Sequence, residues 1–456
     1  YNQDMYHYTS FFGGHCITVM NADIVRQILM APNRPSPKFY KQLFLISGTL
    51  GEGLVLLEGE DWHRHRRIIH PSFQMSFVKE KINSAVPKKV KEFISYWKKD
   101  TGREIDLNSH FSNLTLDVIG DVAFSHNFHG LDAVREWAES GDDKMPEVTD
   151  KLMRALSQAF NISPQRIFLN IAGLTTFDLV GKRSEKAMNE AVEKVVENAR
   201  QRNTNIQNGA SSTTTTNNES KYAPKSVLEL LFDAKDTESK TKQTLTDFEL
   251  REEVKTFLIA GHETTSTWCY WAVFAMTKYP DIQQRVYEDV MKHVADDDDD
   301  GTIDLETVEK MTYLDALLKE CLRFYPPAGV MIRNNTDEEV LAGVTIPQDT
   351  RLTIPIYLLH RHPKYWSGNP DEFAPERWLA KELPYNHPFA FIPFSAGPRI
   401  CIGYRFATME AKLIMAGLIR AFTFQLAPSL RDAKFELRTR LTTKAKPDLK
   451  VCIRPR

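Results

Sequence analysis

One cysteine stands in a segment that departs from ordinary core sequence. Cys401 lies near the end of FIPFSAGPRICIG, residues 391–403, where an apolar, strand-like start gives way to glycine, proline and arginine. A helix-like pattern, YRFATMEAKLIMAGLIRAF, follows at once. Gly397 and Gly403 permit close backbone approach, Arg399 adds a fixed positive charge, and amides at a helix start favour a thiolate over a thiol. The segment predicts either a reactive thiolate or, as the plainer alternative, a buried structural cysteine.

The surroundings of this cysteine narrow its chemistry. No histidine or second cysteine stands at zinc-ligand spacing from Cys401. The five cysteines are scattered and odd in number, which argues against a disulfide framework and favours a reducing compartment. A single thiolate ligand suits an iron already carried by a macrocycle, because the sulfur donates electron density to haem iron and favours O–O cleavage. The residues therefore favour a haem ligand.

A second group of reactive side chains, AGHETTS, spans residues 260–266. An acid followed by two threonines is an unusual choice for a helix interior, because threonine hydroxyls can bond back to the preceding turn. Apolar runs flank the motif on both sides, which argues against the alternative of a capping or surface segment. Glu263 and Thr264 form an acid–alcohol pair of the kind that delivers protons to a reacting group.

Two further pairs have helical spacing. Glu320 and Arg323 are three residues apart, and Trp62 and Arg66, within DWHRHRR, are four apart. Taken alone, each pair is typical of an exposed helix face.

Two long helices must position these groups. The first is predicted to begin at the capping box Thr246-x-x-Glu249 and to end at Pro280, long enough to cross a domain. The second begins at Thr312 and ends at Pro326-Pro327, and short extended runs, VLAGVTIP and RLTIPIYLL, follow it. The pattern predicts one mainly helical domain over residues 1–456, with a small β-rich N-terminal region and a disordered surface loop over 202–225.

Composition sets limits on function. The formal net charge of −2 offers no basic excess for a nucleic-acid backbone. No apolar run is long enough to span a membrane, and the chain begins at Tyr1, so an N-terminal anchor is expected to have been lost if one existed.

Together these motifs resemble the cytochrome P-450 family. Phe394-x-x-Gly397-x-Arg399-x-Cys401-x-Gly403 matches the haem-binding loop of that family at every fixed position, and all four motifs occur in the family's order. The runs HPFAFIPFSAGPRICIG and IYLLHRHPKYW are most similar to microsomal eukaryotic lipid hydroxylases. The resemblance implies the P-450 fold, with haem b between the central helix and the cysteine loop.

The resemblance also implies roles for individual residues. Cys401 would be the axial ligand of the haem iron, with Phe394 beside the sulfur. Thr264 would contact dioxygen, and Glu263 would relay protons. Trp62, Arg66, Arg333 and Arg399 would serve the haem propionates. Glu320, Arg323 and Arg377, the last from PERW, would hold the core around the cysteine loop together. Arg64 and Arg67 would face an acidic redox partner.

The expected reaction is monooxygenation of an apolar C–H bond, with electrons from NADPH through a flavoprotein reductase and with a cytochrome b-type donor as a second source. Some lipid hydroxylases carry a glutamate that bonds covalently to haem where this chain has Ala260, so non-covalent haem is expected. The resemblance implies the endoplasmic reticulum membrane, with the catalytic domain in the cytosol; a plastid or soluble enzyme is the alternative. The expected substrate contacts are Leu50, Leu54, Phe257, Ala260, Val330 and Met331.

Two other functions remain open. A thiolate-haem isomerase or dehydratase would rearrange a lipid hydroperoxide without O2 or a reductase, but such relatives often lose the acid–alcohol pair. In a non-enzymatic haem sensor, the acid–alcohol pair Glu263–Thr264 would have no function.

Overall fold

The structure is a computed structural model. It describes residues 4–9, 14–31, 35, 51–99, 102–141, 179–207, 225–236, 238, 244–294, 302–439 and 441–456. The contacts of the chain group into two compact units. Unit 1 comprises residues 1–38, 100–111 and 264–456, and unit 2 comprises residues 39–99 and 112–263.

Unit 1 begins with a four-stranded sheet. Strands β1 (Met5–Thr9) and β2 (His15–Val19) pair antiparallel, and β2 pairs in parallel with a strand from far along the chain, β7 (Arg351–Ile354). Strand β4 (Met331–Asn334) completes the order β1-β2-β7-β4. Ile17, Val19, Leu352 and Ile354 pack into one core with helix α1 (Ala22–Met30). The β-rich N-terminal region is therefore completed by strands from the second half of the chain.

Three smaller sheets also belong to unit 1. Strand β3 (Ile105–Asp106) pairs with β11 (Lys450–Pro455), which pairs with β8 (Phe422–Leu426). Two hairpins join β5 (Glu339–Leu341) to β6 (Val344–Ile346) and β9 (Glu436–Thr439) to β10 (Thr443–Lys446).

The other described helices of unit 1 follow Thr264. They are α9 (Pro280–His293), α10 (Leu305–Lys310), α11 (Thr312–Phe324), α12 (Ile356–Leu359) and α13 (Tyr404–Ala421). Helix α11 begins at the residue that the sequence predicts and buries nine of its residues, including both members of the Glu320–Arg323 pair. A short 3-10 helix, Gly397–Arg399, precedes Cys401.

The described part of unit 2 contains helices joined by turns and loops, and it contains no strand. Its helices are α2 (Gly59–Ile69), α3 (Met75–Lys99), most of α4 (Leu107–Phe124), α5 (Gly130–Ser140), α6 (Leu179–Gln207), α7 (Val227–Asp233) and the first half of α8 (Asp247–Lys278). The prediction of a loop over 202–225 is wrong at its start, because α6 continues to Gln207; residues 208–224 lie outside the described residues.

Helix α8 is the long helix predicted from the capping box. Glu249 accepts a hydrogen bond from the Thr246 amide at 2.7 Å, and Thr246 Oγ1 accepts one from the Glu249 amide at 3.3 Å. The helix runs for 32 residues and ends just before Pro280, which begins α9. In the described part of the chain no helix is sufficiently long and apolar to cross a bilayer.

Candidate functional site

The cysteine loop holds its sulfur at an accessible position. Cys401 is exposed, and its amide donates a hydrogen bond to the Phe394 carbonyl at 2.9 Å. The helix α13 begins three residues later, at Tyr404, after the cap residue Gly403. All five cysteines lie in the described part of the chain, and none forms a disulfide. Burial raises the pKa of Cys269 and Cys321 well above the usual value, so these two behave as core residues, as expected.

Glycine at 397 is required by both backbone conformation and space. Gly397 has φ of +72°, and a Cβ added there would overlap the carbonyl oxygen of Leu29, the penultimate residue of α1. Helix α1 therefore lies directly against the turn that precedes the cysteine. At Gly403, by contrast, an added Cβ would meet nothing within 4 Å. The two glycines of the motif thus have different reasons for their presence, and the folded chain explains only the first.

Aromatic packing fixes the start of the loop. The ring of Phe394 contacts Trp268 edge-on, with centroids 5.9 Å apart, and lies 6.3 Å from the ring of Tyr404. Trp268 is itself held by a 3.0 Å hydrogen bond from its indole N–H to the Leu318 carbonyl. The loop, α8 and α11 are therefore held together beside the cysteine.

A buried polar cluster braces the same region. Glu320 and Arg323 are both fully buried, and the carboxylate accepts hydrogen bonds from the guanidinium at 2.7 and 2.8 Å. Arg377 Nε donates to the same carboxylate at 3.1 Å, and the Trp378 indole donates at 2.9 Å. The structure therefore brings together the three residues that the resemblance groups, and the exposed-pair alternative for Glu320 and Arg323 is wrong.

His360 links this cluster to the cysteine loop. The His360 carbonyl accepts a hydrogen bond from Arg323, and its ring Nε2 accepts one from the Ile392 amide at 2.9 Å. Burial lowers the pKa of His360 to about 3, so the ring is neutral and can accept this bond. Ile392 is two residues from Phe394, so the Glu320–Arg323 cluster controls the path of the chain into the loop. Sequence reasoning missed His360.

Two cations lie close together near the loop. Burial, together with the charge of Arg399, lowers the pKa of Arg333 to about 10. The positive charges of two partly buried guanidinium groups repel one another, so an anion bound beside them would stabilise both. A haem carries carboxylate groups, and it also offers iron for an exposed thiolate. The accessible Cys401, the two arginines and the aromatic Phe394 therefore fit a haem, which is the fit that the resemblance implies.

The central helix has one accessible stripe. Between Thr256 and Met276, all residues of α8 are buried except Ala260, Gly261 and Thr264. Glu263, beside Thr264, is 8% exposed. Gly261 permits close packing in unit 2, because a Cβ there would lie 2.7 Å from Ile119 Cδ1. The acid–alcohol motif therefore lies where a small, accessible stretch interrupts a buried helix.

Trp62 and Arg66 lie on helix α2 of unit 2. Trp62 is buried and Arg66 is partly exposed, one turn further along the helix. The two neighbouring arginines pair with carboxylates of unit 2. Arg64 contacts the carboxylate of Glu249, and Arg67 donates to both oxygens of Asp236 at 3.0 and 2.9 Å. Both side chains are partly exposed, and a role for them toward a redox partner stays a prediction.

The expected substrate contacts are placed as follows. Leu54 and Phe257 are buried in unit 2, where the Phe257 ring packs on Phe73 with centroids 5.3 Å apart. In unit 1, Val330 is exposed, and Met331 is partly buried at the start of β4. Leu50 lies outside the described residues.

The sequence analysis also missed a buried acidic residue. Glu410 on α13 is fully buried, and neither carboxyl oxygen has a hydrogen-bond partner among the described residues. Burial raises its pKa well above the usual value, against a smaller opposing effect of the Thr265 hydroxyl. The helical period of α13 could have predicted that Glu410 is buried, because it lies four residues after Phe406 and four before Ile414, both buried.

Comparison with known proteins identifies the fold. The chain superposes on the crystal structure of the cytochrome P450DA heme domain with a TM-score of 0.79 and 24% identity, over 99% of this chain and 90% of that one. This similarity shows that the fold is that of a cytochrome P450.

Sequence relatives point the same way. Cytochrome P450 4c21 of Blattella germanica is 29% identical over 440 residues, which cover 96% of this chain and 83% of that protein. Cytochrome P450 4Z1 of Homo sapiens is 30% identical, covering 92% and 77%. Cytokinin hydroxylase of Arabidopsis thaliana is 28% identical, covering 96% and 79%. The cytochrome P450 family model matches residues 2–453. The chain therefore belongs to the cytochrome P450 family, and it is a monooxygenase whose cofactor is non-covalent haem.

Proposed function

We propose that this enzyme hydroxylates a hydrophobic, lipid-like substrate such as a fatty acid, sterol or terpenoid, and that Cys401 would bind its haem iron as a thiolate. The observation that carries the ligand assignment is the accessible Cys401, held by its amide in a loop whose turn requires glycine at 397. Haem, when bound, supplies the activation of O2. In the overall reaction NADPH supplies two electrons, one oxygen atom enters a C–H bond, and the other leaves as water with two protons.

The residues of the chain have separate tasks in this proposal. Cys401 would hold the iron as a thiolate. In unit 1, Arg399 and Arg333 would pair with a carboxylate of the haem, and in unit 2 Trp62 and Arg66 would serve the same kind of group. Thr264 lies in the accessible stripe of α8, and its hydroxyl would hold a proton for the reduction of O2. Glu263 supplies protons toward Thr264. An acid–alcohol pair suits this work because one group takes protons from solvent and the other holds them at a defined atom.

The apolar character of the expected contacts supports a lipid-like substrate. Leu54, Phe257 and Ala260 carry no charge, and Ala260 is exposed on α8. An apolar substrate gains about 25 cal/mol for each Å² of apolar surface removed from water. We propose electron supply by an NADPH-dependent reductase, with a cytochrome b-type donor as a second source, and a location at the endoplasmic reticulum membrane. These two assignments depend on the similarity to microsomal members of the family.

The test is the optical spectrum of the reduced protein under carbon monoxide. Wild-type protein is expected to show the strongly red-shifted Soret band of a thiolate-ligated haem, and Cys401→Ala is expected to lose it. Cys452→Ala is the matched control and is expected to keep the band. Retention of the band in Cys401→Ala would refute the ligand assignment.

A lipid panel tests the substrate. With NADPH and reductase, at least one lipid is expected to yield a hydroxylated product. Turnover of a lipid hydroperoxide alone, with no NADPH-dependent oxygenation of any lipid, would instead assign the isomerase activity.

A further inference from the structure

Two adjacent glutamates of α8 direct their carboxylates at the backbone of the segment 51–57. Glu252 Oε2 accepts a hydrogen bond from the Glu52 amide at 2.7 Å, and Glu253 Oε2 accepts one from the Leu54 amide at 3.1 Å. Glu253 is fully buried and Glu252 is 7% exposed. A buried carboxylate is costly unless such partners replace its hydration. The two bonds fix alternate amides of one short segment.

The segment approaches α8 so closely that two of its residues must be glycine. A Cβ on Gly51 would lie 2.9 Å from Glu252 Oε2. A Cβ on Gly53 would lie 2.9 Å from Glu253 Oε2 and would overlap the Thr256 hydroxyl. The Gly53 carbonyl accepts hydrogen bonds from the amides of Leu56 and Leu57 at 2.9 and 3.0 Å, which closes a turn. Glycine at 51 and 53 is therefore what allows the segment to lie directly against α8.

His65 joins helix α2 to the same glutamate. Its Nδ1–H donates to Glu253 Oε1 at 2.7 Å, and the ring is 1% exposed. Its Nε2 lies 3.1 Å from Arg64 Nη2 and 3.4 Å from Glu249 Oε1. Glu253 thus uses one oxygen for the segment 51–57 and the other for α2. His65 lies on α2 between Trp62 and Arg66.

Two of the acidic side chains around the segment pair with basic side chains. Lys255 Nζ lies 2.6 Å from Glu252 Oε1, and Arg64 contacts Glu249. Burial would raise the pKa of Glu249, but hydrogen bonds from the Thr246 amide, Arg64 and the Thr246 hydroxyl lower it to about 2. All these residues belong to unit 2.

We propose that Glu252, Glu253 and His65 form a clamp that positions the segment 51–57 and helix α2 on α8, and that this clamp determines which lipid-like substrates bind and where they are oxidised. The proposal rests on the proposed function, in which Leu54, Phe257 and Ala260 contact substrate. The three clamp residues act through the residues they hold. They are positioning residues.

Burial of the acids supports a positioning role. Apolar side chains of similar size would fill the same space without the desolvation cost of two carboxylates. Only an acceptor, however, can fix the amides of Glu52 and Leu54 and so hold the register in which Leu54 and Leu56 are buried while Val55 is exposed. Without the carboxylates, the turn would lose the bonds that select this register.

The experiment combines amide hydrogen exchange with steady-state kinetics on haem-loaded protein. In Glu253→Ala, exchange of the segment 51–57 is expected to be about ten-fold faster or more, because the Leu54 amide loses its acceptor. KM for the preferred lipid is expected to rise about ten-fold with a smaller change in kcat, and the product distribution should broaden. Glu253→Gln keeps an acceptor oxygen and should recover much of both properties.

Two further variants make the test decisive. Gly53→Ala disturbs the same contact from the segment and should reproduce the effects of Glu253→Ala, which also covers the case in which Glu253→Ala does not fold. Glu193→Gln is the control. It breaks the ion pair between Glu193 on α6 and Arg251 on α8, the helix that carries the two clamp glutamates. Amide exchange in the segment 51–57 and the product distribution should stay unchanged.

Wild-type exchange, KM and products in both Glu253→Ala and Gly53→Ala would overturn the clamp while leaving the proposed function intact. If the wild-type enzyme oxygenates no lipid, the proposed function fails; faster exchange in the variants would still support the positioning contact, and unchanged exchange would refute it.

Discussion

The Glu320 carboxylate accepts hydrogen bonds from Arg323 on both of its oxygens, and neither side chain is exposed to solvent. Arg323 also donates to the carbonyls of His360, Pro370 and Glu372 at 3.2, 2.6 and 2.7 Å. One guanidinium thus ties three backbone positions to α11. Since His360 in turn holds the amide of Ile392, the ion pair helps to determine where the cysteine loop begins.

Replacement of Arg323 by Ala is expected to reduce the free energy of unfolding by about 3–5 kcal/mol and to lower the yield of haem-loaded protein. The physical reason is that Glu320 loses its principal counter-charge while remaining buried. Denaturant unfolding and haem content per chain measure the two effects. Lys310→Ala, which breaks an exposed pair with Glu306, should cost less than about 1 kcal/mol. Equal stability of the two variants would show that the buried pair does not support the fold.

Replacement of Gly397 by Ala is expected to destabilise the protein by about 1–3 kcal/mol, because φ is positive there and the new Cβ would overlap Leu29. Gly403→Ala is the matched control, since space is open around Gly403 in the folded chain. Its unfolding free energy without haem should stay within about 0.5 kcal/mol of wild type. Haem titration of both variants then shows whether Gly403 is needed for the cofactor. No loss of stability in Gly397→Ala would contradict the assigned contact.

Local patterns were the predictable part of this fold. Thr246 and Glu249 marked the start of α8 because a capping box satisfies amides within a few residues of itself. The start of α11 at Thr312 was likewise predictable. Pairing across the chain was not predictable from the residues alone. Periodicity shows which face of a helix is apolar, but it does not show which distant segment covers that face.

The contacts around the candidate site were also predictable only in part. Arg377 could be grouped with Glu320, 57 residues away, only through the family resemblance. His65 and Glu253 are 188 residues apart, and although His65 lies within DWHRHRR, nothing in that run indicates Glu253 as its partner. The carboxylates that pair with Arg64 and Arg67 could not be predicted, for a related reason. A run of basic residues resembles an exposed patch until the carboxylates that pair with it are known.

Replacement of Thr264 by Ala is expected to uncouple NADPH consumption from product formation by about ten-fold or more, with release of peroxide, because it removes the hydroxyl that we propose holds a proton for the reduction of O2. Thr264→Ser retains the hydroxyl and should restore most of the coupling. Thr277→Ala, near the end of the same helix, removes a hydroxyl that bonds to the Phe274 carbonyl and should couple normally. The measurement is the ratio of product to NADPH, with peroxide assayed in parallel. Normal coupling in Thr264→Ala would exclude the proposed role.

Replacement of Glu410 by Gln is expected to stabilise the protein increasingly as pH rises above about 4.5. Burial raises the pKa of Glu410 well above that ordinary value, so the folded state keeps a proton that the unfolded chain releases. Wild-type stability contributed by this group is therefore present below pH 4.5 and is lost, by at most about 1.4 kcal/mol per pH unit, as pH rises toward the folded-state pKa.

The glutamine variant removes this dependence, because its amide does not ionise. Unfolding free energies measured between pH 5 and 8 should therefore separate the two proteins progressively, with the variant the more stable at pH 8. Glu306→Gln, at a carboxylate whose side chain is 77% exposed, should follow the wild-type pH profile. A constant difference between Glu410→Gln and wild type across this range would mean that Glu410 does not hold its proton in the folded protein.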